Sequence, residues 1–133
     1  MPYKIIWNSS YVCFDYYGKV TSEDIVESNK EVYGDPRFDE LRWELVSFDE
    51  TESVAFKPAN VRLIAYMDEA AARSNPYISV AFIGKTSILK EVEEAYANTG
   101  AKPTWPVFSF ESREEALEYI TQKDPSASCP KPS

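Results

Sequence analysis

Ile78-Ser79-Val80-Ala81-Phe82-Ile83 is almost wholly apolar and β-branched, and it stops at Gly84-Lys85-Thr86-Ser87. A short apolar run bounded by turn residues predicts a strand covered on both faces, the hallmark of a parallel sheet under helices. From Ser87 the period becomes helical. Ile88, Val92, Ala95, Tyr96 and Thr99 fall on one stripe, with Lys90, Glu91, Glu93 and Glu94 opposite, and Gly100 supplies a stop.

The same alternation extends upstream. Asn75-Pro76 breaks a helix that Pro58 suits as a first turn, with Val61, Ile64, Ala65, Met67, Ala71 and Ala72 inward and Arg62, Glu69 and Arg73 outward. Leu41–Phe48 reads as the strand before it. Trp43, Leu45 and Val46 favour burial, while Arg42, Glu44 and Ser47 interrupt and predict one wet face. Asp49–Lys57 reads as a polar loop. Earlier still, Tyr3–Trp7 and Tyr11–Tyr17 flank Asn8-Ser9-Ser10, the pattern of a β-hairpin, with Gly18 breaking it. Thr21 then caps a helix running to Val32, with Ile25, Asn29, Val32 and Tyr33 on a partly apolar face. Gly34-Asp35-Pro36 ends it.

Downstream, Val107–Phe110 is a short last strand. Ser112 and Glu115 fit a capping box, and Ala116, Leu117 and Ile120 face inward. Lys123–Ser133 carries three prolines and no apolar period, so it reads as a disordered tail. The result is an α/β fold: an N-terminal β-hairpin followed by αβαβαβα, with a mainly parallel sheet flanked by helices and right-handed crossovers.

Composition narrows the chemistry. The chain has 133 residues, a formal net charge of −8 and no histidine. One domain is expected at this length. Scattered basic residues among more numerous acids argue against nucleic acid and anionic membranes as partners. The missing histidine removes the commonest general base and metal ligand. Cys13 sits in an apolar run as a buried thiol, and Cys129 lies in the tail. One pair of cysteines makes no thiolate metal site, so neither a metal nor any other cofactor is expected. No signal peptide and no apolar run of ~20 residues is visible, so no transmembrane segment is expected, and reduced thiols suit a cytoplasmic protein.

Ligands of open α/β sheets favour the carboxyl ends of strands. That directs attention to Asp49, Glu50, Glu52 and Phe56, and to Lys85, Thr86 and Ser87. The three acids have the chemistry of paired carboxylates or a hard-cation site; the plainer reading is a solvated loop. Gly84-Lys85-Thr86-Ser87 echoes the end of a phosphate loop, but Ser79 stands where the earlier glycine belongs. The plainer reading there is a capped strand-to-helix turn whose free amides still suit an anion. Tyr3, Trp7, Tyr11, Phe14, Tyr16 and Tyr17 crowd the hairpin, either as core and covered edge or as the wall of an apolar pocket or partner surface.

Four phrases carry a family likeness: Tyr16-Tyr17-Gly18-Lys19-Val20-Thr21-Ser22-Glu23-Asp24-Ile25; Leu45-Val46-Ser47-Phe48-Asp49; Ala70-Ala71-Ala72-Arg73-Ser74-Asn75-Pro76-Tyr77-Ile78; and Phe110-Glu111-Ser112-Arg113-Glu114-Glu115-Ala116-Leu117. Together they resemble the SpoIIAA-like proteins, which share the STAS-type fold and a relation to SEC14-like domains, over residues 1–122. The resemblance implies a non-enzymatic regulatory module that binds protein partners. The alternative is a carrier or sensor of a small apolar or lipid-like ligand. Anti-sigma-factor antagonists carry an Asp-Ser-x-Gly phosphoswitch before the second helix. The matching stretch, Val54-Ala55-Phe56-Lys57-Pro58-Ala59, has neither hydroxyl nor glycine, so that switch does not carry over. The aromatic, charge-poor hairpin edge points to a homodimer.

Overall fold

The structure, a computed structural model, describes residues 2–97 and 105–123. Strands β1 (Tyr3–Trp7) and β2 (Tyr11–Thr21) lead into helix α1 (Ser22–Tyr33) and a short 3-10 helix (Pro36–Glu40). Then come β3 (Trp43–Ala55), α2 (Pro58–Ser74), β4 (Ser79–Ile83), α3 (Thr86–Ala97), β5 (Val107–Phe110) and α4 (Arg113–Lys123). Gly100, Thr99 and residues 124–133, Cys129 among them, lie outside the described residues. Lys123 itself closes α4 rather than opening a tail.

The five strands lie side by side in chain order. β1 pairs antiparallel with β2, and every later pair is parallel. A sheet that grows in one direction through crossovers of one hand must place all the crossover helices on one face. The packing agrees. Ile25 and Val32 of α1, Ile64 of α2 and Val92 of α3 share a core with Val12, Phe14 and Val80 of the sheet. Among the described residues only α4 covers the other face, where Ala116 and Ile120 pack on Cys13, Trp43, Leu45, Ala81 and Ile83. Cys13 is buried, as its apolar surroundings predict.

Local chemistry sets the boundaries. Thr21 closes a capping box on α1: the Asp24 amide donates to its Oγ1 at 3.3 Å, and its own amide donates to Asp24 Oδ2 at 2.8 Å. At α4 the Glu115 amide donates to Ser112 Oγ at 3.2 Å, and Glu115 returns an acceptor to the Glu111 amide at 3.2 Å. Asn75 ends α2 and ties the layers together. Its Nδ2 donates to the carbonyls of Phe38 and Leu41, both at 3.0 Å, and its own carbonyl accepts from Trp105 Nε1 at 2.9 Å.

Two expectations are corrected. Gly18 does not end the hairpin. It sits inside β2 with φ +68, next to register shifts against β3, so its freedom at positive φ lets the strand bulge and continue. Likewise Asp49–Ala55 is not a loop. It extends β3 beside Tyr17–Thr21, forming a two-stranded parallel ribbon beyond the reach of β4. Ribbon residues meet solvent on several sides, so polar side chains are tolerated there. Within Asp49–Ala55 only Thr51 is buried, and its Oγ1 donates to the Tyr16 carbonyl at 3.1 Å.

Candidate functional site

The anticipated site residues do not converge. Asp49 and Glu50 are exposed and line a polar hollow of ≈ 390 Å³ on the α4 side, with Lys4, Asp15, Ser47 and Arg113. Arg113 is paired there with Asp15. Glu52 is exposed on the ribbon beside Gly18. Phe56 is half-buried and packs on the main core. Lys85, Thr86 and Ser87 are exposed at the start of α3. Lys85 rather than a hydroxyl residue stands at the cap, its carbonyl accepting from the Ile88 and Leu89 amides. Because strand order never reverses, the sheet has no switch-point crevice at its carboxyl edge.

The larger opening lies elsewhere, between the sheet and the α1–α3 layer. It has a volume of ≈ 470 Å³. Its sheet side follows the alternation of the central strands: Phe14 and Tyr16 of β2, Glu44, Val46 and Phe48 of β3, Val80 and Phe82 of β4. α1 contributes Ile25, Asn29 and Tyr33, α2 contributes Ala65 and Asp68, and α3 contributes Val92, Glu93 and Tyr96; Trp105 lines the end where its ring meets Tyr33, 6.2 Å between centres. The rings of Tyr16 and Phe48 lie 5.3 Å apart at 15°, and those of Phe48 and Phe82 lie 6.4 Å apart at 15°, a row of nearly parallel planes.

Besides the exposed Glu93, two carboxyls interrupt this apolar wall. Glu44 lies on the central strand with Val12 and Val80 as its neighbours in register. It is 4 % exposed, and among the described residues its Oε2 has no hydrogen-bond partner. Burial pushes its pKa well above the carboxylate range, the charge of Asp68 raises it further, and the Tyr33 hydroxyl works the other way. Asp68 is half-buried on the pocket wall, and the Tyr33 hydroxyl donates to its Oδ1 at 2.7 Å. Burial carries Asp68 up to about 7, with Tyr33 partly opposing. The phenols of Tyr33 and Tyr96 are also driven up, chiefly by burial. Tyr16 is bound differently. Ser28 gives its proton to the Ile25 carbonyl, so the Tyr16 hydroxyl donates to Ser28.

Chemically this is an apolar slot with an acceptor-rich end. No lysine or arginine is among the described residues that line it. Among the described residues, no three His, Cys, Asp or Glu side chains gather as metal ligands, and no helix is long and apolar enough to cross a membrane. The sequence reading placed Glu44 on a wet face. The signal against that was alternation: Glu44, Val46 and Phe48 share a face, so an acid in that series must be buried with them. Asn29 and Tyr33, which made the α1 face only partly apolar, turn out to face the same slot. Asp68 carried no comparable signal.

No family model matches the chain, and no curated protein matches it. Solved structures do. The anti-sigma factor antagonist SpoIIAA in its unphosphorylated form superposes with a TM-score of 0.56 at 10% identity, covering 90% of this chain and 97% of that one. The phosphorylated form of SpoIIAA, a Bacillus cell fate determinant, gives 0.58 at 9% identity over 89% and 98%. An uncharacterized protein of the DUF3478 family from Shewanella loihica PV-4, with a SpoIIAA-like fold, gives 0.51 at 20% identity over 89% and 91%. The chain therefore has a SpoIIAA-like, STAS-type fold.

Proposed function

We propose that this chain is a non-catalytic binding module whose SpoIIAA-like fold takes a small, largely apolar ligand between the sheet and α1–α3. The observation that carries this reading is the ≈ 470 Å³ pocket, roofed by three helices and walled by aromatic rings. Small-molecule sites usually measure ~300–1,000 Å³ and combine an apolar wall with a few placed polar groups. Absence of turnover is supported by the lack of histidine and by the setting of the two carboxyls, which face a tyrosine and each other rather than a nucleophile.

A regulatory role through a protein partner is the second reading. It is favoured by the likeness in fold to SpoIIAA, an anti-sigma factor antagonist. The two readings combine naturally, since a module that senses a ligand reports it through a surface. The edge strand β1, where Ile6 is 44% exposed, is the surface we assign to self-association.

Native mass spectrometry of the full chain tests the ligand reading. The expected spectrum shows a non-covalent adduct of small-molecule mass that is absent from Ala65→Trp, a substitution that fills the slot, in protein whose circular dichroism is unchanged. A ligand-free wild type that also gains no thermal stability from a panel of apolar fragments would overturn it.

A further inference from the structure

The slot is polarised. Along β3, Glu44 and Phe48 are four residues apart on one face, a separation of roughly 13 Å at the rise of an extended strand. One end holds the row of Tyr16, Phe48 and Phe82 rings. The other holds Glu44, Asp68 and Tyr33. An acid buried between two valines on the central strand of a sheet is costly unless something answers it. Asp68, being another acid, brings no positive charge to balance it. The single proton of the Tyr33 hydroxyl goes to Asp68 Oδ1. Glu44 Oε2 is left over among the described residues, nine-tenths buried and on the pocket wall.

We propose that the pocket recognises a protonated amine attached to an elongated apolar or aromatic body, with the ammonium seated between Glu44 and Asp68 and the body laid along the ring row. This rests on the ligand-binding reading above. An ammonium offers three donors and one positive charge. It supplies Glu44 Oε2 with a partner, bonds the remaining acceptor capacity of Asp68, and brings the positive charge beside which both groups can ionise. Tyr33 and Trp105, edge to face at 6.2 Å, line the same end and put aromatic surface beside the cation. A carboxylate-headed amphiphile meets the reverse: two acids, Glu93 on the α3 wall, and no described lysine or arginine. The same features that admit an amine therefore reject a fatty acid.

The test uses the full chain and three matched probes: phenylbutylamine, phenylbutyric acid and phenylbutanol, by isothermal titration calorimetry and thermal shift at neutral pH. The amine is expected to bind at least about tenfold more tightly than the acid or the alcohol, the scale of a charge-assisted hydrogen bond in a dry site. Glu44→Gln is expected to weaken the amine by about tenfold and to leave the alcohol within about twofold, because only the charged acceptor changes. Asp68→Asn serves as an independent second variant with the same expected pattern. If acid or alcohol binds wild type as tightly as the amine, or if both variants hold the amine undiminished, the amine assignment is overturned while the ligand-binding reading stands. If none of the three probes binds, both fall.

Discussion

The two faces of this sheet are built from alternate residues of the same strands, yet they are finished differently. On the α4 side, Trp43, Phe108 and Tyr119 interlock, with Trp43 and Tyr119 edge to face at 6.2 Å and Phe108 and Tyr119 at 5.3 Å. One helix of eleven residues lies directly on the rings. On the opposite side three helices span the sheet. Each rests on its neighbours as well as on the strands, so the layer stands off the sheet and leaves a slot over Val46 and Phe48. One face is closely packed and the other keeps an open slot.

Truncation on the two faces tests that contrast most directly. Leu45, fully buried under α4, and Val46, half-buried on the slot, are adjacent residues of one strand. Leu45→Ala is expected to cost ~3 kcal/mol in urea denaturation, because it opens a cavity in packed surroundings. Val46→Ala should cost only about 1 kcal/mol, since its side chain already borders space and loses fewer contacts. Equal costs would mean that the slot is closed in solution.

Asn75 joins the 3-10 segment, α2 and Trp105 at the end of the slot. Asn75→Ala removes three hydrogen bonds, one to each of the Phe38 and Leu41 carbonyls, which keep the Leu41 amide and the Arg42 guanidinium as donors, and the one that the Tyr77 amide gives to Asn75 Oδ1, and is expected to cost about 2 kcal/mol. Urea denaturation at constant slope reads it; a change below ~0.5 kcal/mol would mean that water replaces the side chain.

The carboxyls give the slot face a pH dependence of its own. Asp68 has a pKa of about 7 in the fold against the usual 3.8, so the folded state holds its proton more tightly than the unfolded chain. The stabilisation is complete below the unfolded value and is lost as pH rises through about 7. Discounted for solvent reaching a half-buried group, the expected loss is on the order of 2 kcal/mol between about pH 4 and pH 8. Glu44, raised in the same direction, adds to it. Denaturation midpoints of Asp68→Asn should be flatter over that range, and a wild type whose stability rises through it would contradict the assignment.

The smallest effect belongs to the polar hollow. Arg113 pairs with Asp15, but the two side chains are 37% and 22% exposed. Arg113→Ala is expected to cost less than about 1 kcal/mol by thermal melting.

Regular packing was the legible part of the sequence. The unbroken Ile78–Ile83 run, the capping residues Thr21 and Ser112, and the α3 stripe from Ile88 to Tyr96 each depend on neighbours in the chain, and each stands where the pattern puts it. What escaped depends on distant partners. Asp49–Ala55 looks like a loop until β2 is laid beside it and Gly18 supplies the bulge. The pair of Glu44 and Asp68 joins two elements, and neither acid announces its burial locally. A lone acid in a strand is most often solvated, and only the company of Val46 and Phe48 argues otherwise.

The three tryptophans give the molecule an optical consequence. Trp43 stands among the rings under α4, Trp105 at the end of the slot, and Trp7 on the edge strand beneath the Arg37 guanidinium, 4.3 Å from its ring centre. Each indole thus has its own surroundings, one per region. Replacing two of them by phenylalanine leaves a single emitter whose fluorescence colour and quenching belong to one region alone. An occupant of the slot should shift the emission of a variant that keeps only Trp105 and leave unchanged that of a variant that keeps only Trp43, so the pair reports where a molecule has landed without any added label.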